Sequence, residues 1–121
     1  WWLSNPEKLS KLASEHIDNE IKNGQIIIST ISTWEMAMLI AKGRLKMSIG
    51  ISDWIAATES LPFVKFSRVD NKIALQSVQL PGKLHNDPAD RIIIATAITM
   101  NASVVTSDRK IIAYPVVRSI W

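Results

Sequence analysis

Short β-branched runs alternate with helix-length segments along this chain, and this alternation restricts the fold more than any other feature. Ile26–Ile28 and Val104–Val105 are short and have no polar face, which is typical of strands buried on both faces. Between such runs, apolar positions recur at helical spacing. The pattern predicts one α/β domain over residues 1–121, with three α/β/α layers and a parallel sheet flanked by helices.

Local signals set the predicted boundaries of the elements. Asn23-Gly24 and Pro81-Gly82 end helices, and Pro88 suits the first turn of the most apolar helix. The predicted helices are Ser10–Lys22, Ser32–Lys42, Ser52–Ser60, Val69–Val78, Asp87–Met100 and a helical turn over Ser107–Ala113. The predicted strands are Gln25–Ser29, Phe63–Phe66, Ala102–Thr106 and Val116–Val117.

Composition excludes several functional classes. The chain has no cysteine, which excludes disulfides, thiol nucleophiles and cysteine–zinc sites and agrees with a reducing cytosol. Two histidines are too few for a histidine-based metal cage. No apolar run approaches the ~18 residues that span a bilayer, so we expect a cytoplasmic protein with no membrane span. A net charge of +3 permits nucleic-acid binding without establishing it.

Three carboxylates stand where an apolar residue or a neutral cap would be expected. Glu35 follows the first β-branched run, Asp108 follows the second, and Asp90 opens the most apolar helix. The carboxyl ends of parallel strands gather at one edge of a sheet, where ligands bind. Acids that converge there without histidine or cysteine predict a site for a hard divalent metal ion.

Each acid also has a purely structural interpretation. Ser32 and Glu35 have the spacing of a capping box, in which the glutamate bonds the serine amide. Asp87 is interpreted mainly as an N-cap and secondarily as a site residue. Asp90 is interpreted mainly as a site residue and secondarily as a first-turn acid that complements the helix dipole. Asp108 has a helix cap as its alternative role.

The surroundings of Glu35 favour a functional role. Its predicted helix face also carries Trp34, Met38 and Leu39. A carboxylate inside an apolar stripe is unfavourable unless it is paired or bound to metal. His85, by contrast, is interpreted as a loop residue rather than a ligand.

Four stretches of the chain together match the pattern of one known family. They are Ile28–Glu35, Lys42–Leu45, Asp87–Ala97 and Val104–Asp108. In their order and spacing, across essentially the whole chain, they resemble the PIN-domain proteins of the VapC toxin type. The Asp-Pro-Ala-Asp-Arg run within the third stretch is quite specific to one branch of that family.

The resemblance implies a small endoribonuclease that depends on Mg²⁺ or Mn²⁺ and is the toxin of a type II toxin–antitoxin pair. Glu35, Asp90 and Asp108 fall on the family's acidic positions, which makes them the expected catalytic and metal-binding residues, with Asp87 as a further metal ligand. RNA is the implied substrate, a cognate antitoxin is the implied partner, and a homodimer is allowed. Four basic residues could contact the RNA backbone. The alternative is that they are ordinary solvated surface. They are Lys83, Arg91, Arg109 and Lys110.

The resemblance also implies a first strand that carries an aspartate in the middle of the sheet. Trp1-Trp2-Leu3-Ser4 resembles the end of the helix that follows that strand, so we expect the strand and its aspartate to be missing from residues 1–121. A non-catalytic PIN-like module that binds RNA or protein is therefore an alternative. A receiver-like domain is a more distant one, because no aspartate follows Ile26–Ser29.

An antitoxin segment is expected to lie against apolar helix faces. Leu12 and Trp54 lie on helices that carry more apolar bulk than the exterior of a small domain usually shows. The chain has five tryptophans in 121 residues, and tryptophan is favoured at interfaces, which supports the expectation of a partner. The alternative is that these side chains complete the core.

Overall fold

The chain folds into six α-helices and four short strands over the part that the structure, a computed structural model, describes, which is residues 6–121. A single 3-10 turn, Pro6–Lys8, precedes them, and Trp1-Trp2-Leu3-Ser4 lies outside the described residues. The helices are α1 (Lys11–Asn23), α2 (Thr30–Ala41), α3 (Ile51–Glu59), α4 (Asn71–Val78), α5 (Pro88–Thr99) and α6 (Arg109–Ile112). The strands are β1 (Ile26–Ser29), β2 (Val64–Ser67), β3 (Val104–Val105) and β4 (Ser119–Ile120).

The strands form two parallel pairs, which confirms the predicted α/β class. β1 pairs with β2 so that Ile26 lies opposite Val64. β3 pairs with β4 so that Val104 lies opposite Ser119. Within residues 6–121 no strand joins the two pairs, but helix α5 contacts both β1 and β3 and so spans them. None of the helices described here is long and apolar enough to cross a membrane.

The main hydrophobic core lies along α5. Ile94 is fully buried there and packs in a cluster that includes Val104, Ile111 and Tyr114. The buried Tyr114 hydroxyl donates a hydrogen bond to the carbonyl oxygen of Pro81, so the polar end of this side chain is satisfied. Helix α5 is therefore a rigid support for the residues at its N-terminus.

Two of the four predicted strands differ from the observed ones by more than one residue at an end. The last strand is Ser119–Ile120 rather than Val116–Val117. Val117 is nevertheless buried in the core cluster, from a bend that follows the turn at Pro115, so its apolar character reflects packing of the turn. The strand predicted over Ala102–Thr106 is reduced to Val104–Val105, because only these residues pair with β4.

Candidate active site

The start of α5 carries two of the predicted site carboxylates. Asp87 Oδ1 accepts hydrogen bonds from the backbone N–H groups of Ala89 at 3.0 Å and Asp90 at 3.2 Å, which confirms the predicted N-cap. Pro88 occupies the first turn, where its missing N–H is not needed. Asp90 follows within the same turn, where the helix dipole favours a negative charge. Its side chain is only 21% exposed.

Glu35 lies in the second turn of α2, and the predicted capping box is wrong. Ser29 is the N-cap, and its hydroxyl accepts from the N–H of Ile31 at 3.4 Å. The reason is that β1 passes directly into α2 with no loop between them. Ser32 is consequently inside the helix, and Glu35 has no capping role there.

Helix α2 exposes two of the apolar side chains that share a face with Glu35. Trp34 is 56% exposed and Leu39 is 40% exposed, and no α2 side chain is fully buried. Glu35 itself is partly buried on this face. Glu35 and Trp34 line an open cleft of about 310 Å³ between α2 and the start of α5, and the other lining residues are Ile31, Asp87, Pro88 and Ala89.

The carboxylates of the two helices interact electrostatically. Burial raises the pKa of Glu35 above its ordinary 4.5, and the negative charges of Asp90 and Asp87 raise it further. Burial likewise raises the pKa of Asp90 above its ordinary 3.8, and the negative charges of Asp87 and Asp108 raise it further. His85 and Lys110 lower the pKa of Asp90 by a smaller amount. Partly buried carboxylates that repel one another in this way favour a bound cation.

Asp108 has the capping role that was its structural alternative. Its Oδ1 accepts from the N–H of Lys110 at 2.7 Å and caps α6. Its own N–H donates to Thr106 Oγ1 at 3.0 Å, so the turn after β3 is held by two side-chain bonds. Asp108 is within electrostatic range of Asp90, since its charge contributes to the raised pKa of that carboxyl group.

Comparison with known proteins establishes the family. The family model of the PIN domain matches residues 1–117. The chain belongs to the PIN-domain family. Ribonuclease VapC22 of Mycobacterium tuberculosis (strain ATCC 25618 / H37Rv) is 32% identical to this PIN domain over 111 residues, which are 92% of this chain and 82% of that protein. No solved structure matches the present chain significantly. The resemblance to VapC-type PIN-domain proteins is thus confirmed.

The donor chemistry of this PIN domain fits Mg²⁺ or Mn²⁺. Both ions prefer oxygen ligands, and Glu35 and Asp87 at the cleft, with Asp90 in the first turn of α5, carry carboxylate oxygens. Within residues 6–121, no three histidine, cysteine or acidic side chains lie close enough together to hold an ion between them. Mg²⁺ commonly takes only one or two protein carboxylates and keeps several waters. The carboxylates of Glu35 and Asp90 would be donors of the type that such an ion binds.

His85 contacts the site, which was not predicted. It lies in the loop before α5, as expected, but its Nε2 atom is 3.3 Å from Asp90 Oδ2. No signal in the sequence separates this histidine from an ordinary loop residue, because the contact depends on how the loop folds back over the first turn of α5.

Arg91 is partly buried and hydrogen-bonded to the backbone, so the solvated surface position considered for it is wrong. Its Nε donates to the carbonyl oxygen of Ser77 at 2.8 Å, near the end of α4. Its Nη atoms donate over 3.4–3.5 Å to three further carbonyls, those of Val78, Leu84 and His85. Arg91 is thus a structural arginine that ties α4 and the following loop to α5. The other three basic candidates, Lys83, Arg109 and Lys110, are exposed.

Proposed function

We propose that this PIN domain is a cytoplasmic endoribonuclease that depends on Mg²⁺ or Mn²⁺ and is the toxin of a type II toxin–antitoxin pair. Glu35, Asp90 and Asp108 are the proposed catalytic and metal-binding acids, with Asp87 as a further metal ligand. The observation that carries the proposal is that Glu35 of α2 faces the cleft at the start of α5, where the charges of Asp90 and Asp87 raise its pKa. The ribonuclease named among its relatives supports RNA as the substrate.

The side chains around the cleft have distinct parts in this proposal. When bound, the metal ion supplies a water of lowered pKa and neutralises charge on the phosphate. Asp90 lies in the first turn of α5, and Glu35 provides a second carboxylate from α2, within electrostatic range of Asp90. Asp87 is oriented by the two backbone N–H groups that it accepts. The exposed Lys110 is close enough to Asp90 to lower its pKa, which suits a contact with the RNA backbone.

Cleavage of RNA by the purified protein tests the proposal. RNA should be cleaved with Mg²⁺ or Mn²⁺ and left intact with EDTA. Asp90→Asn and Glu35→Gln keep the size and hydrogen-bonding shape of each side chain but remove the charge, so they should abolish cleavage and leave the fold intact. Asp87→Asn should be milder, because asparagine caps a helix about as well as aspartate.

Three results would change the proposal. Equal cleavage in EDTA excludes a role for metal. An inactive Asp87→Asn variant beside an active Asp90→Asn variant reverses the roles of the two residues. RNA binding without cleavage under any metal condition favours the alternative of a non-catalytic PIN-like binding module.

The proposed protein partner is a cognate antitoxin with an amphipathic segment. Leu12 of α1 is 49% exposed, so Leu12→Glu should weaken antitoxin binding without loss of the fold. Trp54 is partly buried, so Trp54→Glu would disturb packing as well and is the less specific test. Calorimetric titration measures the affinity, and a Leu12→Glu variant that binds as tightly as the wild type places the antitoxin on another face. A homodimer remains a prediction that the molecular mass in solution can check.

A further inference from the structure

The hydrogen bonds around His85 fix which ring nitrogen carries the proton. The backbone N–H of Asp87 donates to His85 Nδ1 at 3.4 Å, so Nδ1 must present a lone pair. In a neutral imidazole one nitrogen is the donor and the other the acceptor. The proton of the neutral ring is therefore on Nε2, on the side of the ring that faces Asp90.

The Nε2 atom is buried and has one evident acceptor among the described residues. It makes no hydrogen bond of good geometry there, yet it lies 3.3 Å from Asp90 Oδ2. The His85 and Asp90 side chains are each only 21% exposed. Leaving a buried N–H without an acceptor costs about 1–3 kcal/mol, so a small rotation of the ring toward the carboxylate is favoured.

The loop that carries His85 is anchored on both sides. Arg91 Nη1 donates to the carbonyl oxygen of His85 at 3.4 Å and to that of Leu84 at 3.5 Å. The neighbouring Asp87 caps α5 and accepts from the N–H of Asp90. The backbone N–H of Asp90 is therefore held by the Asp87 side chain, and the Asp90 carboxylate lies next to the His85 ring.

We propose that His85 is a positioning residue that donates a hydrogen bond from Nε2 to Asp90 Oδ2 and so orients this carboxylate. The inference rests on the proposed function, because it assigns Asp90 as a metal ligand. Groups that orient a metal ligand typically change metal affinity or activity 10–100-fold when they are removed. His85 itself touches neither metal nor RNA in this role.

Two substitutions separate positioning from a merely structural role. His85→Phe keeps the ring but removes both nitrogens, whereas His85→Gln keeps an N–H donor of similar reach. Titration with Mn²⁺ alone measures the metal affinity, and steady-state cleavage of RNA gives kcat and KM. We expect His85→Phe to weaken Mn²⁺ binding 10–100-fold and to lower kcat with little change in KM, and His85→Gln to recover much of both losses. A His85→Phe variant that only melts at a lower temperature, with wild-type Mn²⁺ affinity, overturns the proposal.

The metal-free protein provides a second readout that needs no activity. Long-range ¹H–¹⁵N spectra of the wild type should show the Nε2–H tautomer for His85, and the Asp90 carboxyl ¹³C resonance should move in His85→Phe. The opposite tautomer, or an unchanged Asp90 resonance, overturns the proposal. A wild-type protein that neither binds Mn²⁺ nor cleaves RNA refutes the proposed function instead, and these spectra still decide whether His85 positions Asp90.

Discussion

Replacement of Arg91 with methionine should destabilise the domain by about 2–3 kcal/mol. The Nε bond to Ser77 is 2.8 Å long, and a hydrogen bond from a charged group contributes about 1.5–3 kcal/mol. The three Nη contacts are 3.4–3.5 Å long and add less each, because hydrogen bonds weaken with distance. Methionine keeps the aliphatic part of the side chain, so the loss reports on the guanidinium group.

Urea denaturation measures this loss, and two controls make it specific. For a domain of this size, about 2.5 kcal/mol corresponds to a fall of roughly 10 °C in melting temperature. Arg91→Lys keeps the charge but lacks the planar fork of donors, so it should recover little. Arg109→Met, at an exposed position of α6, should change the free energy of unfolding by less than about 0.5 kcal/mol. An Arg91→Met variant as stable as Arg109→Met would show that these bonds do not hold α4 and the loop to α5.

Three further predictions concern stability. Ile94 is fully buried, so Ile94→Ala should lower the urea-derived free energy of unfolding by roughly 3 kcal/mol and Ile94→Val by about 1 kcal/mol. Because the pKa of Glu35 is raised in the fold, the metal-free protein should gain stability as the pH falls from 7 through that raised pKa toward 4.5. Glu35→Gln should be more stable than the wild type at pH 7 and should lack this part of the gain, which melting temperatures at pH 7 and 5 would show. Burial raises the pKa of Tyr114 above 10, against the opposing effect of Arg91, so the fold should lose stability as the pH rises past 10. The absorbance of this single tyrosine should then report ionisation together with unfolding rather than before it.

Helix boundaries that are set by residues within one turn were predicted correctly from the sequence. Boundaries that depend on contacts with residues far away in the chain were not. The Asp87-Pro88 start of α5 was predicted correctly because a cap and a first-turn proline act within one turn of helix. The start of α2 was placed at the wrong serine. Ser29 and Ser32 are both capable caps, and the choice between them depends on where β1 stops pairing with β2, at Ser29 opposite Ser67.

The composition of the candidate site was more predictable than its contacts. Carboxylates that follow strands or open helices pointed to one edge of the fold, and Glu35 does come within electrostatic reach of Asp90. The exposure of Trp34 could not be predicted, because it depends on what packs against α2. The bonds of Arg91 to Ser77 and the approach of His85 to Asp90 depend on how the loop after α4 folds back. Periodicity carries no information about such contacts.

The titration of the Glu35 carboxyl group tests most directly whether Glu35 and Asp90 form one cation-binding site. Its ¹³C resonance can be followed against pH in the metal-free wild type, in Asp90→Asn, and in the wild type with saturating Mg²⁺. Glu35 should titrate above its ordinary 4.5 in the metal-free wild type and at lower pH in Asp90→Asn, because a repelling charge is gone. Added Mg²⁺ should lower the Glu35 pKa further in the wild type. A Glu35 pKa that is the same under all three conditions would contradict a shared site.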